Sequence, residues 1–161
     1  MQHLVEWLQQ TALNAWLLDS VWAWPALEIV HFMGLSLLFG GLIIFDLCVA
    51  GYLPTLQAAA LRPLPRVMIA GFAVNFASGS LFFIGDPGRY SINIGFQLKI
   101  LLVIVAGMNA FWFLWRFGAA LPGWQTHADV PRLARVLAAI SLFTWLAVLL
   151  LGRLIPYVGT G

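Results

Sequence analysis

Along most of this chain apolar residues do not alternate with polar ones; they run together in four long stretches, residues 24–51, 66–84, 93–117 and 132–157. A helix that crosses a bilayer needs about 20 consecutive, largely apolar residues, and each stretch meets that length. The segments between them carry turn chemistry. Residues 52–65 hold Pro54, Pro63 and Pro65, the next break is Gly85-Asp86-Pro87-Gly88, and residues 119–131 contain Pro122-Gly123. Pro25 and Pro131 sit where a first helical turn tolerates proline, and Asp129 is placed to cap the last helix. Open strands cannot cross lipid with their backbone unsatisfied, and four spans are too few for a barrel. The pattern predicts an all-α polytopic membrane protein, a four-transmembrane-helix bundle spanning residues 24–157 as one domain.

The first twenty residues have a different rhythm. Leu4, Leu8, Ala12, Ala15 and Trp16 fall on one helical face, whereas His3, Glu6, Gln9, Gln10 and Asn14 fall elsewhere. This predicts an N-terminal interfacial amphipathic helix over residues 1–20, lying on the membrane. Its polar face lacks Lys and Arg, so docking onto a partner protein is the alternative.

Composition removes the soluble alternative. The 161 residues are 62% hydrophobic and 9% charged, with a mean hydropathy of +0.94, against about 25% charged residues in soluble domains. Eight Trp and twelve Phe suit aromatic belts at two interfaces. A net charge of +2, built from so few charges, gives nucleic acid no footing. The single Cys48 excludes an internal disulfide and any multi-cysteine metal site. No Lys or Arg precedes Arg62, so the basic start of a cleavable signal is missing and the N-terminus is expected to be retained. Arg62, Arg66, Arg116, Arg132 and Arg135 flank the first and third loops, and only Arg89 lies in the second. The positive-inside rule then places both termini outside.

Against that apolar background the remaining ionisable residues stand out. Glu28 and His31, three apart, share a face of the first span, and Leu35, Phe39, Leu42 and Asp46 continue the row toward the interior. His31 lies about 9 Å beyond Pro25, Lys99 a similar distance beyond Asn93, and Arg153 about one turn before Pro156. All four charged or titratable groups therefore sit at comparable depth on the outer side, with Asp86, Arg89 and Tyr90 in the loop above. Charges inside a bilayer cost about 2.5–3.5 kcal/mol each on insertion scales, so they pair or line a cavity. One reading is a polar pocket for a small ligand, proton, metal or cofactor headgroup. The other is a pair of ion bridges, Glu28–Lys99 and Asp86–Arg153, that fix helix register.

His31 is the candidate metal or haem ligand, although a second intramembrane histidine is missing: His3 is in the tail and His127 in a loop on the opposite side. Asp46, near the inner end, is expected to pair structurally with Arg62, Arg66 or Arg116. Asn75, with Gly71 and Gly79 at four-residue spacing, reads as packing glue with Asn109 as its partner. Ser141 and Thr144 are expected to bond back to their own helix. Phosphate-cradling glycine loops, HExxH, GxSxG and paired cysteines do not occur.

The run Pro25-Ala26-Leu27-Glu28-Ile29-Val30-His31-Phe32-Met33-Gly34, continuing to Gly41 and Asp46-Leu47, resembles the first span of a bacterial four-helix inner-membrane family known only as a domain of unknown function. Phe96-Gln97-Leu98-Lys99, Gly107-Met108-Asn109, Ser141-Leu142-Phe143-Thr144-Trp145 and Gly152-Arg153 extend the resemblance over nearly all of the chain after residue 24. It implies a bacterial inner-membrane setting and points to Glu28, His31, Asp46, Lys99, Asn109 and Arg153. A fainter likeness, in the first helix, is to copper-resistance and cytochrome b-type membrane proteins. Three functions follow as expectations. The first is an accessory membrane protein binding a small ligand or protein partner at the outer cluster, within a homo-oligomer or larger complex. The second is a redox subunit holding haem b, copper or quinone near His31. The third is a small transporter or channel acting as an oligomer.

Overall fold

The computed structural model describes residues 2–53, 61, 63–124, 127–155 and 157, with the backbone alone at residue 127. Arg62 and Pro156, and the side chain of His127, therefore lie outside the described residues. Seven α-helices are described: α1 (Gln2–Gln9), α2 (Ala12–Asp19), α3 (Ala23–Ala50), α4 (Leu64–Gly85), α5 (Pro87–Ile92), α6 (Ile94–Phe117) and α7 (Arg132–Leu154). No strand occurs among the described residues. The helices α3, α4, α6 and α7 are long and apolar enough to cross a membrane. At about 1.5 Å per residue the shortest of them, α4, runs to roughly 33 Å.

The long helices pack in the order α4, α3, α7, α6, each against the next. Glycine sets the closest approach, between α3 and α4. A Cβ on Gly71 would lie 2.5 Å from the Leu38 nitrogen and 2.7 Å from the Gly34 carbonyl oxygen, and one on Gly34 would lie 2.8 Å from Asn75 Nδ2. Here small residues let two backbones meet, as in helix pairs that cannot rely on water to drive them together. Leu38, Leu42, Ala106, Trp145 and Val148 form the middle of the core. Phe45, Val49, Phe113, Phe117, Ala134, Leu137 and Ala138 form its end. The fourth side of the bundle, between α4 and α6, closes poorly. Phe83 stacks on Phe96 at 5.7 Å, bringing α4 and α6 together near one end of that seam.

That end is covered by α1, α2 and α5, and we call it the capped end. The tail differs from the single surface helix expected. It breaks after Gln10, where the Thr11 hydroxyl donates to the Leu8 carbonyl (2.7 Å) and accepts from the Asn14 amide (3.2 Å), capping a second helix. The buried Asn14 then donates to the carbonyls of Ile84 (2.7 Å) and Gly85 (3.2 Å) at the end of α4. Leu8 and Leu17 are buried with it. The segment thus docks on its own bundle, because Asn14 satisfies helix-end carbonyls that have no partner within α4. Trp7, Trp16 and Trp22 stay exposed at this end, and Trp112 and Trp115 are exposed near the other.

The loop between α4 and α6 is built on two caps. Asp86 accepts from the Arg89 amide (3.2 Å) to start α5, and Asn93 accepts from the Phe96 amide (3.0 Å) to start α6. Asn93 also donates to the Ile155 carbonyl at the end of α7 (2.9 Å). At the far end Gly51 adopts a left-handed conformation (φ 94°), and its amide reaches the Leu47 and Cys48 carbonyls to stop α3.

Candidate polar site at the capped end

The residues gathered roughly one and a half to two turns inside the capped end are His31 on α3, Ser78 on α4 and Lys99 on α6. Ser78 is buried and His31 half-buried. Ser78 Oγ donates to the Val74 carbonyl (2.7 Å), as a serine inside a helix commonly does. With its hydrogen so used, Ser78 accepts from His31 Nδ1–H across the helix interface at 2.8 Å. This hydrogen bond selects one tautomer and leaves the Nε2 lone pair of the imidazole free to accept. The Phe82 ring stands edge-on to the imidazole at 5.5 Å and is itself packed by Trp24 at 5.3 Å, so the ring orientation is held from two sides.

Lys99 reaches the same layer from α6. Its ammonium lies within electrostatic range of His31. A Cβ on Gly152 of α7 would come 3.3 Å from Lys99 Nζ, so that glycine leaves the lysine its room. Tyr90 of α5 packs on Phe96 at 5.2 Å above this layer. Burial pushes its phenol above the ordinary range; the Arg89 guanidinium opposes the shift, and the Asp86 and Glu28 carboxylates reinforce it. Tyr90 is therefore a hydrogen-bond donor at neutral pH.

Not every residue expected in this cluster belongs to it. Glu28 is exposed, and no Glu28–Lys99 ion pair forms among the described residues. The reason is local. With almost every position of α3 apolar, the periodicity leaves the buried face undetermined; the Gly34 and Gly71 contact decides it and turns Glu28 outward. Asp86 serves as a helix cap instead of pairing with Arg153, whose guanidinium lies over the Tyr157 ring at 5.5 Å. Two interior expectations also change. Asn75 donates to the Gly71 carbonyl of its own helix (3.1 Å), and Asn109 donates to the Leu137 carbonyl of α7 (3.1 Å), so the two amides do not meet. Asp46 is buried with no arginine partner among the described residues, and Ser141, which lines the same cavity, makes no bond back to its own helix among them. Thr144 does bond back, to Ile140 (2.7 Å).

Among the described residues no three His, Cys, Asp or Glu side chains converge to hold a metal. His3, on the exposed face of α1, faces Glu6 at 3.9 Å and not His31. What the layer offers is a cation without an ion-pair partner among the described residues, an imidazole whose Nε2 can accept and a phenol donor.

Fold and site together define a class: an all-α bundle with four helices suited to a membrane and a cationic polar layer under a helical cap. The chain matches no protein-family model, no curated protein and no solved structure.

Proposed function

We propose that the protein is a multi-pass membrane protein whose bundle crosses the bacterial inner membrane with both termini outside, and that its outer polar layer binds a small anionic ligand. Strongly exposed apolar side chains on the long helices, such as Phe76, Phe111 and Phe143, support the membrane setting. The observation that carries the ligand reading is Lys99, a cation within an apolar bundle that has no ion-pair partner among the described residues. Such a charge is costly unless something neutralises it, and a carboxylate or phosphate group would do so. The Tyr90 hydroxyl is suited to donate to the same anion, while His31 Nε2 would accept a ligand proton.

The test is ligand-dependent stability of the purified protein in detergent. Phosphatidylglycerol should raise the melting temperature by several degrees over phosphatidylcholine, and Lys99→Met should remove the difference; a ligand a hundredfold above its Kd stabilises by about 2.7 kcal/mol. A parallel titration with inorganic phosphate separates a free anion from a lipid headgroup. Equal response of wild type and Lys99→Met to every anion would end this reading.

The free Nε2 of His31 favours one other reading, an axial ligand to haem b or copper. A two-fold dimer would have to bring a second His31 to the same group. A Soret band or stoichiometric copper that is lost in His31→Ala would support it; a colourless, metal-free preparation would dismiss it.

A further inference from the structure

Toward the far half of the bundle, where α4 and α6 part, lies a cavity of about 210 Å³. Phe45 from α3, Phe72 from α4, Phe113 from α6 and Trp145 from α7 contribute to its walls. Its lining also includes Ile69, Phe72 and Leu114, which are 63%, 38% and 45% exposed, so it opens sideways onto the flank of the bundle. One acid lines it. Asp46 is 4% exposed, its Oδ2 has no hydrogen-bond partner among the described residues, and Ser141 stands in the same wall. Among the described residues of the lining there is no Lys, Arg or His.

A carboxyl oxygen held in an apolar cavity without a partner is costly, by roughly 1–3 kcal/mol for a neutral group and more for a charged one. Among the described residues no hydrogen-bond donor satisfies the buried Oδ2. Four aromatic rings line the same cavity, and π faces attract cations within about 6 Å. A neutral alcohol would satisfy the oxygen but gain nothing from the rings, whereas a protonated amine uses both. We propose that this cavity binds a lipophilic organic amine, its ammonium on Asp46 and its apolar body among Phe45, Phe72, Phe113 and Trp145.

The volume suits a single-ring compound; a cavity of about 150 Å³ is large enough for benzene. Larger amines extend through the side opening. Access from lipid rests on the membrane-spanning reading, but binding itself does not, and it involves neither Lys99 nor His31.

The experiment is calorimetric titration of the full chain in detergent with phenethylamine and with phenethyl alcohol at neutral pH. Saturable one-to-one binding of the amine is expected, at least tenfold tighter than the alcohol and at least tenfold weakened by Asp46→Asn. Gly107 lines the cavity and a Cβ there meets nothing within 4 Å, so Gly107→Leu is expected to fold without a clash at its Cβ and to occupy the cavity. It should abolish binding with the helical circular dichroism spectrum unchanged, which keeps the proposal testable if Asp46→Asn does not fold. Lys99→Met should bind the amine as wild type does, so loss of the anion site and loss of this one are distinguishable. Binding of the alcohol as tight as the amine, undiminished binding in Asp46→Asn or Gly107→Leu, or no saturable amine binding to wild type would each overturn it.

Discussion

Asn93 joins two helix ends through one buried side chain, its oxygen capping α6 and its amide nitrogen donating to the Ile155 carbonyl of α7. Removing both functions should cost about 1 kcal/mol for the cap and about 1–3 kcal/mol for the orphaned carbonyl. Asn93→Ala is therefore expected to lower the melting temperature clearly, and Asn93→Ser, which keeps the cap, by less. Equal melting of all three proteins in detergent would contradict that division of labour. The residues that most organise the capped end, Asn14, Ser78 and Asn93, were the least visible in the sequence. Each is a common polar residue whose partner lies 47 to 71 positions away, and only the packed register brings them together. Ionisable residues were easier to notice, since charge stands out in apolar runs. Charge alone does not fix neighbours: Lys99 interacts with His31, whereas Glu28 is exposed and Asp46 has no arginine partner among the described residues.

At the scale of elements, the α3–α4 contact is the most demanding in the bundle. A side chain at Gly71 would strike the backbone of α3, which cannot move aside as a flexible side chain could. Gly71→Leu should destabilise by at least the 1–3 kcal/mol typical of overpacking, with chemical denaturation in mixed micelles as the readout. Gly40 lies on the same helix as Gly34, yet a Cβ there meets nothing within 4 Å. Gly40→Leu should stay within about 0.5 kcal/mol of wild type; comparable losses in both would show that the two helices are not held by this contact. The four-residue spacing of Gly71, Asn75 and Gly79 did mark the interface, because close approach requires small residues at helical repeat. The same spacing did not identify the partner helix, and the amide of Asn75 turned back to its own backbone. The four long elements were legible within a few residues at each end, since length and apolar continuity suffice for them. The two-helix tail was not: its break at Thr11 depends on a local hydroxyl bond and on the open carbonyls of α4.

For the molecule as a whole, the packing order leaves one unsealed flank and two unlike ends. The capped end is stitched by asparagines and carries the layer of His31 and Lys99. Arg66, Arg116 and Arg132 lie exposed at the other. Bundle, cap and polar layer form one account only if the long helices cross a membrane with the capped end outside. The direct measurement is labelling of single cysteines in spheroplasts with a membrane-impermeant maleimide, in a Cys48→Ala background. Val21, 82% exposed at the capped end, and Ala120, exposed at the far end, are the positions to use. The account predicts that Val21→Cys labels in intact spheroplasts and that Ala120→Cys labels only after lysis. The reverse pattern would invert the orientation, and equal labelling of both before lysis would contradict a membrane-spanning bundle.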